Sequence, residues 1–161
     1  MHKLRKLGAG AEMTTVAYKA GVLACDSAWS DDSRIIGLIT KIRRFDTGAL
    51  YGGSGDGDDR ALLNLIYNVS DPNDLPPYDA LWEIQADLNA LMIFPDGRAF
   101  FIYTGPESCG AHPIDAPAAI GSGKLLAIGA MDAGKSATEA VEIACVRDCH
   151  SKGPVHSLAL K

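Results

Sequence analysis

The order of apolar patterns along the chain limits its fold more than any other feature. Two short β-rich runs, 14–19 and 21–26, meet at Ala20-Gly21 as in a hairpin. Residues 34–45 read as extended chain, and 49–51 as a strand entering the bend Gly52-Gly-Ser-Gly-Asp-Gly57. A helix is predicted over 58–67, with acidic residues in its first turn and Leu62, Leu63 and Ile66 on one face. Three prolines within 69–79 predict a loop. Pro95-Asp96-Gly97 then predicts a hairpin between 81–94 and 98–103. A turn-rich stretch follows, then a run at 118–123 and a helix to Met131. Ser136-Ala-Thr-Glu139 is a capping box opening a further helix to about Cys149, and 155–160 reads as the last strand. Strands, helix, strands, helices, strand is an α+β order, unlike the strict βαβ alternation of a doubly wound parallel sheet.

A chain of 161 residues and 17.0 kDa is long enough for one domain with a substantial core. Its formal charge of −5 argues against non-specific binding to nucleic acid. No apolar run approaches the roughly 18 residues that a membrane-spanning helix needs, so no membrane partner is expected. Four cysteines in a chain of this size do not make a disulfide framework and suggest a reducing cytoplasm. Residues 1–13 are basic and then Gly/Ala-rich, without the apolar core of a signal peptide. They read as an N-terminal extension: a propeptide, an upstream start, or residues added by cloning. The domain is expected over 14–161.

Three motifs invite chemistry, and two of them are better read as structure. Gly129-Ala-Met-Asp-Ala-Gly134-Lys135-Ser136 fits a phosphate-binding loop. Too little chain follows it to supply the further parallel strands and the acidic magnesium ligand of a nucleotide-binding core. It is read as a helix end followed by a capped helix start. Cys145, Cys149 and His150 lack a second pair at zinc-like spacing, so no metal or other cofactor is expected. Cys145 and Cys149 are read, with Cys25, as small packing thiols. The glycine cluster at 52–57 is either a flexible turn or a place where a backbone N–H can approach a reacting carbonyl.

Thr14-Thr15, Asp26 and Lys41 remain. A threonine hydroxyl becomes a nucleophile when its own α-amino group is its base, since that amine has a reference pKa of about 7.7–8.0. Thr14 would gain such an amine only on loss of residues 1–13, and a Met before a small residue is readily trimmed.

In this order, Thr14-Thr15, Gly21-Val-Leu-Ala-Cys-Asp26-Ser27 and Lys41 resemble the proteasome β-subunit and HslV family of N-terminal-nucleophile (Ntn) hydrolases. Gly53-Ser-Gly55-Asp-Gly-Asp-Asp59, Ala119-Ile-Gly-Ser122-Gly123 with Ala127-Ile-Gly-Ala130, and Arg147-Asp148-Cys-His-Ser151-Lys-Gly153 continue the resemblance to the C-terminus. The resemblance implies a four-layer α/β/β/α sandwich with two antiparallel sheets. It makes Thr14 the nucleophile, Lys41 the cation beside it and Asp26 the partner of Lys41. Gly55 N–H would hold the oxyanion, with Gly53 the alternative in a slipped register. Ser122, Asp148 and Ser151 would hold the Thr14 amine, and Trp29, Ile39 and Gly53 would line the substrate pocket.

The implied activity is a threonine endopeptidase acting on peptides or unfolded protein, without a cofactor, in a homo-oligomeric ring that an ATP-dependent unfoldase could serve. Two rivals stand beside it: an amidohydrolase of the same fold acting on a small amide, and a structural ring subunit without catalysis. The chain departs from the family in a shorter first hairpin, in little room for the second long helix after residue 67, and in Met rather than Gly before Thr14. The last difference fits trimming at Met13 better than autolysis.

Overall fold

A computed structural model describes residues 14–30, 34–56 and 58–161; the expected extension at 1–13 lies outside the described residues. Strands β1 (Thr15–Lys19) and β2 (Val22–Cys25) form the first hairpin. Its two turn residues take positive φ, 49° at Ala20 and 79° at Gly21, the twist that suits a tight hairpin. Strands β10 (Ala118–Gly121) and β11 (His156–Ala159) flank the pair, giving an antiparallel four-stranded sheet in the order β10-β1-β2-β11. The second sheet is a five-stranded antiparallel meander: β5 (Ile42–Arg44), β6 (Leu50–Asp56), β7 (Asp87–Ile93), β8 (Ala99–Thr104) and β9 (Gly110–Ile114). A separate ribbon pairs β3 (Ala28–Ser30) with β4 (Ile35–Leu38).

Strand alternation decides the layers, since successive side chains point to opposite faces. Val16, Tyr18, Leu23 and Cys25 of the first sheet meet Leu50, Leu91 and Ile93 of the second in a core between the sheets. Ala17 and Ala24, on the other face, meet Ala127 and Met131 of α3 (Lys124–Asp132) and Ala140 and Val141 of α4 (Ala137–Arg147). On the far side of the second sheet, Tyr51, Ala90, Met92 and Ile102 pack with Leu62 and Ile66 of α1 (Arg60–Ile66) and Leu81 of α2 (Tyr78–Trp82). The result is the expected α/β/β/α sandwich. Fully buried leucines such as Leu23, Leu50 and Leu62 each stabilise it by about 1.5–3 kcal/mol relative to exposure.

Several local expectations change. The glycine cluster is no bend: Gly52 to Gly55 continue β6 and pair with Leu91 to Leu88 of β7. Glycine serves there because the facing sheet lies close; a Cβ on Gly52 would come within 2.7 Å of Val16 Cγ1. The first arm of the predicted hairpin at 81–94 begins as the end of α2 and becomes strand only at Asp87. The turn-rich stretch conceals β9, an outer strand whose Pro113 is tolerated because an edge position has an unpaired side. Cys25 is in the core as read, but Cys149 is exposed beyond the end of α4 and packs no helix. The capping box is present in both directions, Glu139 N to Ser136 Oγ at 3.1 Å and Ser136 N to Glu139 Oε1 at 3.2 Å. Gly129 lies inside α3, and Gly134 follows that helix with φ of 99°. That stretch is two helix ends, as its structural reading has it.

Candidate active site

Antiparallel pairing of β1 with β2 brings the two ends of the hairpin together, and Asp26 N donates to Thr15 O at 3.1 Å. Thr14 and Asp26 thereby share one end of the first sheet, and Lys41 approaches just ahead of β5. Asp26 is fully buried. Its Oδ1 accepts from Thr14 Oγ1 at 2.7 Å, from Thr15 N at 3.0 Å and from Lys41 Nζ at 2.7 Å. Its Oδ2 accepts from Ala28 N and Lys152 N, both at 3.1 Å. Lys41 Nζ also donates to Thr14 Oγ1. A hydroxyl, an ammonium and a carboxylate thus form one closed contact, with the carboxylate oriented by three backbone amides.

The Lys41 side chain is only 7% exposed. Burial pushes its pKa below the ordinary lysine value, and the Asp26 charge beside it opposes that shift. The folded chain therefore loses the Lys41 proton at lower pH than the unfolded chain does. Stability rises with pH between the folded value and the ordinary one near 10.5, because the unfolded state holds more protons there. Thermal melts across alkaline pH are expected to show this rise, and Lys41→Arg, whose cation does not titrate, is expected to remove it.

The turn after β10 closes on the same atoms. Thr15 pairs with Gly121, where φ is 93° and a Cβ would lie 2.0 Å from Thr14 O. No side chain fits there, so only glycine lets the turn reach Thr14. Ser122 Oγ then lies 3.3 Å from Thr14 O and donates to Asp148 Oδ2 at 2.5 Å. Ser151 Oγ also donates to Asp148 Oδ2, at 2.5 Å, and lies 2.7 Å from Thr15 Oγ1. Asp148 caps the C-terminal end of α4, and Ser27 N donates to Lys152 O at 2.7 Å, which ties the segment after the helix to the Asp26 turn.

The structure thus brings Thr14, Asp26, Lys41, Ser122, Asp148 and Ser151 together. Ser122 reaches the Thr14 carbonyl and Ser151 the Thr15 hydroxyl, while Asp148 accepts from both serines; the sequence reading aimed all three at the Thr14 amine, which exists only once residues 1–13 are removed. Gly55 lies near the end of β6, solvent-exposed, with φ of 146°, and a Cβ there would be 2.3 Å from Asp87 O. Gly53 is engaged elsewhere: its N–H donates to Lys41 O at 3.2 Å, which removes it as the alternative oxyanion donor. Trp29 and Ile39 are 53% and 44% exposed, and Ile39 N donates to Ser27 O at 2.8 Å, one residue from Asp26. Thr15, Gly121 and the Lys152 amide were not singled out from sequence. The signal for Thr15 was present in its doublet with Thr14; a backbone amide such as that of Lys152 leaves none.

No family model matches the chain, and no curated protein matches it. Solved structures do. The chain is similar to BPH from Thiobacillus denitrificans, at 19% identity over 92% of this chain and 98% of that one, with a TM-score of 0.59. It is similar to the eukaryotic HslV of Trypanosoma brucei at 20% identity, over 91% and 98%, with a TM-score of 0.56. Anbu from Yersinia bercovieri, described as an ancestral beta-subunit, matches at 11% identity over 90% and 80%, with a TM-score of 0.55. Likeness at such identities is likeness of fold: the α/β/β/α sandwich is one that this chain shares with HslV.

Proposed function

We propose that this chain is a threonine-type peptidase whose nucleophile is Thr14 Oγ1, made competent by removal of residues 1–13. The observation that carries this reading is the buried contact of Thr14 Oγ1 with both Lys41 Nζ and Asp26 Oδ1. Its place in a fold shared with HslV supports it. Next to Met13 the Thr14 nitrogen is an amide and cannot take a proton; once terminal, it is a base.

Thr14 Oγ1 attacks the substrate carbonyl carbon as its proton passes to the α-amine. The Lys41 cation lowers the energy of charge developing at Oγ1, and Gly55 N–H faces the carbonyl oxygen as it becomes an oxyanion. Collapse of the tetrahedral species expels the amine half of the substrate, which takes the proton from the α-amine and leaves an ester on Thr14. Water, deprotonated by the same α-amine, then hydrolyses the ester. The exposed apolar side chains Trp29, Ile36, Leu38 and Ile39 on and beside the β3–β4 ribbon offer an apolar wall for substrate side chains. Leu125 and Val146, 78% and 77% exposed on the outer helical layer, suit contacts between copies in a homo-oligomeric ring.

The test is the intact mass of the assembled protein, before and after a peptide β-lactone, with turnover measured on fluorogenic peptides and on small acyl-amides. A chain beginning at Thr14 that gains one acyl group and cleaves the peptides is expected. Preference for the small amides would replace the peptidase by the amidohydrolase. A particle that retains Met1 and gains no mass would make the chain a structural subunit.

A further inference from the structure

Ser54 Oγ is a buried side-chain hydroxyl without a hydrogen-bond partner among the described residues. Only 8% of the residue is exposed. Buried polar groups are almost always paired, so a buried side-chain hydroxyl left unpaired among the described residues points to a group that binds there.

Its direction follows from strand geometry. Gly52 faces the first sheet, since a Cβ there would meet Val16 and Leu23. Ser54, two residues further along β6, points to the same face. Its position along that face follows as well. Tyr18, near the far end of β1, reaches Gly97 in the turn between β7 and β8, the end of the second sheet where Leu50 pairs with Ile93. Going back along β1 from Tyr18 past Val16 to Thr14 therefore runs in the same direction as going from Leu50 past Gly52 to Ser54. Lys41 confirms the level: its carbonyl accepts from Gly53 N while its ammonium contacts Thr14 Oγ1. The hydroxyl of Ser54 thus projects from the second sheet toward the Thr14 end of the first, and the next residue is Gly55.

We propose that Ser54 Oγ is a second oxyanion donor, acting beside Gly55 N–H. The inference rests on the Thr14 nucleophile reading. When the bond from Thr14 Oγ1 to the carbonyl carbon forms, the π electron pair of the carbonyl moves onto its oxygen. The Thr14 proton goes to the α-amine. Ser54 keeps its own proton and directs it at the new oxyanion. Adjacent residues supply both donors, one through a side chain and one through the backbone, so a single oxygen can accept from the two. The donor is left without a partner in the resting protein, and its pairing comes only with the tetrahedral species. That is the differential stabilisation that raises kcat without tightening substrate binding.

The experiment compares Ser54→Ala and Ser54→Thr with the parent, all as Thr14-terminated protein. Ser54→Ala is expected to lower kcat about 10²-fold with little change in KM. Affinity for a peptide aldehyde, whose hemiacetal with Thr14 carries the same oxygen, should fall by a similar factor. Affinity for a reduced-bond peptide, which has no such carbonyl, should be unchanged. The melting temperature should stay level or rise, because no native hydrogen bond is lost. Ser54→Thr keeps the hydroxyl and should retain most of the turnover. Full turnover in Ser54→Ala would overturn the proposal alone. So would a loss of kcat accompanied by a lower melting temperature and undiminished aldehyde affinity, which marks a structural serine. A parent that neither turns over peptide nor gains mass from the β-lactone would overturn the nucleophile reading, and this proposal with it.

Discussion

Replacing Thr14 with alanine is expected to leave a folded protein that cleaves peptide at least about 10⁴-fold more slowly than the Thr14-terminated parent. A nucleophile removed from a catalytic set that works as a unit takes nearly all of the chemistry with it. The structural consequence is far smaller. Thr14 Oγ1 contributes one bond to Asp26 and receives one from Lys41, while Lys41 Nζ keeps its own 2.7 Å bond to Asp26 Oδ1. Asp26 still accepts from Thr15 N, Ala28 N and Lys152 N. Losing one satisfied hydroxyl costs about 1 kcal/mol, and none of the three core clusters includes Thr14. Thr14→Ser, which keeps the oxygen, should retain measurable turnover. The check is steady-state hydrolysis of a fluorogenic peptide alongside thermal unfolding. A Thr14→Ala protein that unfolds at the parent temperature and still cleaves peptide would place the nucleophile elsewhere.

Much of this site was legible in the sequence because its residues sit at the ends of regular elements, where spacing is informative. Thr14 and Asp26 bound a hairpin whose Ala20-Gly21 turn fixes which residues face each other. Gly121-Ser122-Gly123 and Asp148 to Ser151 flank α3 and α4, whose limits the capping box and the Gly134 break announce. The parts that were missed are those that depend on the opposite layer. Gly52 to Gly55 read as a bend because glycine usually frees the chain. Here glycine makes room for Val16 and Leu23 of the facing sheet, and backbone pairing with β7 keeps the strand going. The strand β9 carries Pro113 and turn formers, tolerable only at a sheet edge, and nothing local says that 110–114 is one. Of the β3–β4 ribbon, β4 lies in the stretch 34–45 that reads as extended chain, whereas β3 gave no strand signal. The contacts of Ser122 and Ser151 run to the Thr14 carbonyl and the Thr15 hydroxyl; the Thr14 amine at which the resemblance aims them exists only once residues 1–13 are removed.

Asp26→Ala is expected to destabilise the fold by about 3–5 kcal/mol, besides ending turnover. A fully buried carboxylate that accepts from Thr14 Oγ1, Lys41 Nζ and the amides of Thr15, Ala28 and Lys152 joins four chain segments at one point. Its removal leaves the Lys41 ammonium buried without its partner charge, and breaking one side of a buried pair is costly for that reason. Two outcomes follow for Lys41: the cost is borne by the fold, or the amine gives up its proton. Burial already lowers its pKa, and the Asp26 charge is the largest influence holding it up. Without Asp26 the shift deepens, so the variant should regain stability as pH rises through the range in which the parent keeps Lys41 charged. For a domain of this size the expected fall in melting temperature at neutral pH is about 6–20 °C. It should shrink toward alkaline pH in Asp26→Ala and should be largely cancelled in Asp26→Ala with Lys41→Met, which removes the stranded charge. Thermal melts of the three proteins across pH decide it. A double variant no more stable than Asp26→Ala alone would mean that Asp26 acts through the three backbone amides and not through Lys41.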